Sequence, residues 1–79
     1  MIDRLGGKKV VGLKQSLKVI RNGSGKIVYL AKDCDENIFN QVKKAAEDES
    51  LDIVYIDTMK ELGNICSIDV GAAVAVILH

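Results

Sequence analysis

An α/β layered sandwich around a four-stranded sheet is the fold predicted by this 79-residue sequence, and three observations predict it. Strand-like and helix-like segments alternate from end to end, the order expected of helices layered on a sheet. The last apolar run, residues 73–78, is continuous rather than alternating, so it reads as a strand buried on both faces. Hydrophobic residues make up 48% of the chain but only Tyr29, Phe39 and Tyr55 are aromatic, so Val, Ile, Leu and Ala must fill one modest core. A chain of this length makes a single domain, residues 1–79, with no internal repeat, linker or low-complexity tract.

Each element has its own local reason. Lys9, Val10 and Val11 form a short strand candidate. Residues 12–22 carry helix periodicity, with Leu13, Leu17 and Ile20 at i, i+4 and i+7. Asn22-Gly23 stops that helix, because glycine takes the left-handed cap conformation at little steric cost. Residues 26–31 read as a buried strand. Asp33 or Asp35 then caps a helix reaching residue 49, with Ile38, Phe39, Val42, Ala45 and Ala46 facing inward. Residues 53–56 are a third strand. Thr58-Met59-Lys60-Glu61 has the form of a capping box, in which hydroxyl and carboxylate satisfy free backbone N–H groups reciprocally. The short helix it opens ends at Gly63 or soon after, and Ser67-Ile68-Asp69-Val70 forms a loop before the final strand.

A formal charge of zero hides a divided chain. The first 32 residues hold eight Lys or Arg and one acid, a balance of +7; the remaining 47 hold three bases and ten acids, a balance of −7. Solubility alone does not require such sorting. One basic face in a neutral domain can hold a polyanion while the rest of the surface resists non-specific association. On a helical projection at ~100° per residue, Lys14, Lys18 and Arg21 share a narrow stripe about a quarter-turn from Leu13, Leu17 and Ile20. Lys14 and Gln15 lie in the first turn, where free N–H groups and the positive end of the macrodipole favour an anion. A lysine there opposes the dipole, which makes sense if both together hold a phosphate.

Other patterns carry less. Gly6-Gly7-Lys8-Lys9 lacks P-loop spacing and Gly23-Ser24-Gly25 follows a helix, so both read as flexible connections. Cys34 and Cys66 form no ligand set and read as reduced thiols, Cys66 half-buried. Ser16 has no partner histidine apart from the terminal His79, so no nucleophilic triad exists, and the residues suggest neither an enzyme, a metal site nor a cofactor. The first residues lack the apolar core of a signal peptide, and residues 70–78 are too few to span a bilayer. These features lead to the expectation of a soluble cytoplasmic protein with no membrane partner.

Four stretches in order carry a resemblance: Gly12-Leu13-Lys14-Gln15-Ser16-Leu17-Lys18, Val28-Tyr29-Leu30-Ala31-Lys32-Asp33, Leu62-Gly63, and Ile68-Asp69-Val70-Gly71-Ala72-Ala73. Together they resemble the kink-turn-binding ribosomal protein family typified by archaeal L7Ae, in particular its short bacterial ribosome-associated members. The resemblance implies a three-layer α/β/α sandwich with a four-stranded mixed sheet, and an RNA-binding protein that recognises a sharply bent element built on sheared G·A pairs. The family's recognition helix begins Gly-x-Asn-Glu-x-x-Lys. By that resemblance Gly12 starts the helix, Lys14 and Gln15 stand at the Asn-Glu positions, and Lys18 at the Lys position. Lys14-Gln15 departs from the pattern: Gln15 keeps an amide that both donates and accepts toward a purine edge, where a Glu would only accept.

By the same resemblance Lys32 lies beside the RNA surface, and Ile68, Asp69 and Val70 form the apolar loop that covers bases extruded at the bend, with Gly71-Ala72-Ala73 allowing close backbone approach. Phosphate contacts are then expected from Lys14, Lys18, Arg21 and Lys32, and readout from Lys14, Gln15 and the loop. The implied partners are ribosomal RNA or a messenger-RNA riboswitch containing a kink-turn, and the ribosome. Two competing readings remain at this stage: a protein-interaction module on the same fold, its basic face docking an acidic partner, and a detached RNA-binding domain working with an RNA-modifying enzyme.

Overall fold

Strands and helices alternate through residues 8–79, the part of the chain that the computed structural model describes. The order is β1 (Lys9–Val11), α1 (Leu13–Arg21), β2 (Gly25–Ala31), α2 (Glu36–Asp48), β3 (Asp52–Ile56), α3 (Met59–Ile65) and β4 (Val74–Leu78). Gly6 and Gly7, expected to form a flexible connection, lie outside the described residues. The expected architecture holds: the four strands form one mixed sheet in the order β1-β4-β2-β3. β2 and β3 pair parallel, while β4 runs antiparallel to both β1 and β2. β1, β2 and β3 therefore all point one way, and each is followed by a helix that starts at their common C-terminal end.

Alternation along the strands divides the core in two. On one face Val28 and Leu30 of β2 and Val74 and Val76 of β4 meet Ile20 of α1 and Val42, Ala45 and Ala46 of α2. On the other, Ala31 and Ala75 meet Leu62 and Cys66 around α3. β4, buried on both faces, supplies both layers, as its unbroken apolar run requires. Full burial of each Val, Leu or Ile here is worth ~1.5–3 kcal/mol.

All three helices end in the same way. The N–H two residues past the C-cap bonds a carbonyl five residues back: Ser24 to Val19 (3.0 Å), Leu51 to Ala46 (2.9 Å) and Ile68 to Gly63 (3.0 Å). The residue before it is left-handed, with φ of 82° at Gly23, 57° at Ser50 and 62° at Ser67. Glycine marks this position in α1, but serine fills it in α2 and α3.

Two local expectations need correction. Gly23-Ser24-Gly25 is not a flexible connection: the Ser24 N–H bonds both Val19 O and Asn22 Oδ1, and Gly25 is a buried residue of β2. A Cβ at Gly25 would come within 3.0 Å of Val76 Cγ1, so glycine is there for packing. Cys66 is buried rather than half-buried, at 3% exposure, because it closes the α3 cluster.

Candidate nucleic-acid interface

Where β1, β2 and β3 end, the starts of all three helices and the loop leading into β4 come together. Three helix N-termini present three positive dipole ends, and two of them are neutralised from within. Asp35 caps α2, its carboxylate accepting from the Asn37 N–H at 2.8 Å. Thr58 caps α3, its hydroxyl accepting from the Glu61 N–H at 3.0 Å. Asp33 also serves α3, accepting from the Met59 N–H at 2.8 Å across 26 residues. Both candidate aspartates are thus caps, but of different helices. The Thr58 capping box is half made: among the described residues Glu61 returns no bond to the Thr58 N–H.

α1 is different. Its N-cap is Gly12, which has no side chain to offer, and the first N–H taken up is that of Ser16, by the Gly12 carbonyl at 3.0 Å. The N–H groups of the first turn are left for solvent or an anion. Gly12 has φ 103° and ψ 156°, a conformation open in practice to glycine. Its own N–H bonds Val74 O at 3.0 Å, which ties the start of α1 to the end of the 68–73 loop. Lys14, Gln15, Lys18 and Arg21 are all exposed along α1, and none of these three cations is ion-paired among the described residues. The buried side of α1 is centred on Ser16 and Ile20, both fully enclosed, with Leu13 and Leu17 at its margin.

The loop is built on α3. Ile68 donates to Gly63 O and Ala72 donates to Met59 O, each at 3.0 Å. There is no space for a Cβ on Gly63, because the Val70 carbonyl oxygen and Gly71 Cα sit against it. Ile68 turns inward, half-buried on the Leu62–Cys66 cluster, as the apolar residue that follows a left-handed helix end commonly does. Val70 is the exposed apolar side chain at the tip, 70% accessible, with Asp69 exposed beside it. The close backbone approach expected of Gly71-Ala72-Ala73 is made to the protein itself: Gly71 faces Met59, and Ala72 is buried.

Lys32 stands at the end of β2, its N–H bonded to Ile56 O at 2.8 Å and its ammonium 3.3 Å from the Asp57 carboxylate. Both side chains are mostly exposed, so the pair contributes little to stability and leaves Lys32 available to another anion. Cys34 lies between Asp33 and Asp35. Partial burial pushes its thiol pKa up, and the two carboxylates push it further, against a backbone hydrogen bond that lowers it. Burial likewise raises the Cys66 thiol pKa, with Lys9 opposing. Both cysteines are free thiols. Among the described residues no group of three or more His, Cys, Asp or Glu is placed to hold a metal ion, and no helix is long and apolar enough to cross a membrane.

The chain resembles known proteins over nearly its whole length. Residues 4–79 match the model of the ribosomal protein L7Ae/L30e/S12e/Gadd45 family. A protein of Caldanaerobacter subterraneus subsp. tengcongensis that bears the name RNA-binding protein is 51% identical over 75 residues, 95% of this chain and 92% of its own. The large ribosomal subunit protein eL8 of Halobacterium salinarum is 31% identical over 68 residues, 85% of this chain but 57% of eL8. Among solved structures, the Giardia lamblia 15.5kD RNA binding protein superposes with a TM-score of 0.83 at 29% identity, over 90% of this chain and 60% of that one. A family model that spans all but three residues, together with a relative above half identity, settles the classification: the chain belongs to the L7Ae/L30e/S12e/Gadd45 family of ribosomal proteins.

Proposed function

We propose that this protein binds structured RNA, recognises a kink-turn and holds it in its bent form, in the cytoplasm and in association with the ribosome or a regulatory messenger-RNA element. The observation that carries this reading is the uncapped N-terminus of α1, with exposed Lys14 and Gln15, fixed beside an apolar-tipped loop by the bond from Gly12 to Val74 O. Relatives named as RNA-binding and ribosomal proteins support the polyanion as RNA.

The arrangement suits a bent RNA. A regular A-form helix hides its base edges in a deep, narrow major groove, and a bend both opens that groove and unstacks bases. In this reading the start of α1 enters the opened groove, its free N–H groups and Lys14 facing phosphate and the Gln15 amide facing a purine edge. Lys18, Arg21 and Lys32 neutralise backbone phosphates alongside. Val70 covers an unstacked base, Ile68 holds the loop down from below, and Asp69 stands at the margin. Because the free RNA samples extended and bent forms, preference for the bent form is itself the activity.

A gel shift comparing a kink-turn RNA with a control whose G·A pairs are replaced by Watson–Crick pairs tests the reading. Sub-micromolar binding of the kink-turn and clearly weaker binding of the control are expected. Equal affinity for both would reduce the protein to a general polyanion binder. Salt dependence tests the phosphate contacts: with three or four neutralised, log affinity should fall against log salt with a slope of about −2 to −4. Lys18→Ala should make that slope shallower by about one unit. An unchanged slope and affinity would remove Lys18 from the interface.

A further inference from the structure

The basic surface does not stop at the recognition end. α1 runs from that end toward the start of β2, carrying Lys14, Lys18 and Arg21 over about 10 Å at ~1.5 Å per residue. At its far end a chain of backbone bonds gathers the opposite end of the sheet. Ser24 N–H bonds Val19 O at 3.0 Å, His79 N–H bonds Ser24 O at 3.1 Å, and Leu78 N–H bonds Lys8 O at 2.9 Å. These bonds bring exposed Lys8, Arg21, Lys26 and His79 to one margin of the molecule. Lys26 is the extra residue of a β-bulge between Gly25 and Ile27, an irregularity that leaves it outside the β2–β4 register.

Lys8, Lys26 and Arg21 make no ion pair among the described residues, in contrast to Lys32 with Asp57 and Lys44 with Asp48. The acids of this end, Glu47, Asp48, Glu49 and Asp52, lie at the end of α2 and the start of β3, and because Asp52 pairs in register with Ile27 the boundary between the two charges falls beside Lys26. The charge division of the sequence is thus a division across the width of the fold. Cations line α1, β1 and the start of β2, whereas the end of α2 and the start of β3 carry Glu47, Asp48, Glu49 and Asp52 against Lys43 and Lys44, the latter paired with Asp48.

We propose that Lys8 and Lys26, which continue the track beyond Lys18 and Arg21, form a second RNA-contacting surface. It holds the phosphate backbone of the helical arm that leaves the bend, while the acidic α2–β3 side repels that arm and so fixes the direction in which it leaves. The proposal rests on the kink-turn reading for the position of the bend, but it concerns the duplex beyond it. Contacts to backbone phosphates carry no sequence information, so the track adds affinity and orientation and no sequence preference.

The test is a titration of the whole protein with kink-turn RNAs in which each arm in turn is lengthened from a few base pairs to more than one helical turn. Wild-type affinity should rise with the length of one arm and not of the other. Lys8→Gln/Lys26→Gln should bind the short-armed RNA like wild type and lose the gain from the long arm. On that long arm its salt slope should be shallower by about 1.4–1.8 for two lost contacts. Arm length without effect in the wild type overturns the proposal, and is what a track built for an acidic protein would give. An equal loss by the variant on short and long arms overturns it as well, since the two lysines would then act only through net charge. Failure of the kink-turn reading shows separately, as loss of discrimination against the Watson–Crick control at either arm length.

Discussion

Gly63→Ala should destabilise the fold and unseat the 68–71 loop, although alanine is the better helix former. Inside α3 the intrinsic preference favours alanine by about 0.8–1.0 kcal/mol. Against that, the new Cβ would overlap the Val70 carbonyl oxygen and come within 3.1 Å of Gly71 Cα. Both obstacles are backbone, so no rotamer change relieves them, and the loop must lift from α3. Overpacking of this kind typically costs about 1–3 kcal/mol. Lifting also strains the Ile68-to-Gly63 and Ala72-to-Met59 bonds that seat the loop. A net loss near 1 kcal/mol lowers the melting temperature by roughly 4–8 °C in a domain of this size. At a temperature where the variant remains folded, kink-turn affinity should fall because Val70 is displaced. Binding to the Watson–Crick control, carried by the α1 cations, should change little. A variant that melts at or above the wild-type temperature would show that the loop is not seated on Gly63 as described.

The features legible in the sequence were those with a local cause. The end of α1 shows in Asn22-Gly23, the start of α3 in Thr58, and the two-sided burial of β4 in its apolar run. What escaped depends on distant partners or on residues used against type. Serine at the left-handed ends of α2 and α3 gives no stop signal, so nothing in Ser67-Ile68 announces that Ile68 folds back onto its own helix. Asp33 and Asp35 look like alternative caps of one helix until the sheet brings Met59 beside Asp33. Ser16, weighed in the sequence only as a nucleophile, is fully buried, its hydroxyl without a hydrogen bond among the described residues. A side chain that small fits between α1 and the layers beneath it, which periodicity of large apolar residues does not register. At the candidate site the helix and the loop singled out in the sequence lie side by side, joined by the bond from Gly12 N–H to Val74 O. The sequence assigned apolar cover to Ile68 and Val70 alike, and the structure leaves Val70 as the exposed one of the pair.

That distinction decides how readout should be tested. Ile68→Asp would bury a carboxylate against the Leu62–Cys66 cluster, so any loss of binding would be confounded with loss of fold. Val70→Asp avoids this, since Val70 is 70% exposed and contributes little to the core. It places a second carboxylate beside Asp69 where an unstacked base is expected, so repulsion of the RNA adds to the lost apolar contact. Gln15→Ala is its counterpart on α1, removing an exposed, uncharged amide and leaving every cation in place. Loss of a good polar base contact is worth about 1–3 kcal/mol by analogy with DNA readout, or roughly 5- to 150-fold in affinity. Both variants should melt within a few degrees of wild type. Gln15→Ala should weaken kink-turn binding by that factor and leave the Watson–Crick control untouched, because it changes no charge. Val70→Asp should weaken the kink-turn strongly and the control only by the small, salt-screened effect of one added negative charge. Paired titrations on the two RNAs at two salt concentrations separate these outcomes. If both variants bind the kink-turn like wild type while remaining folded, the RNA does not meet the start of α1 and the 68–71 loop, and the recognition surface must be sought elsewhere on the fold.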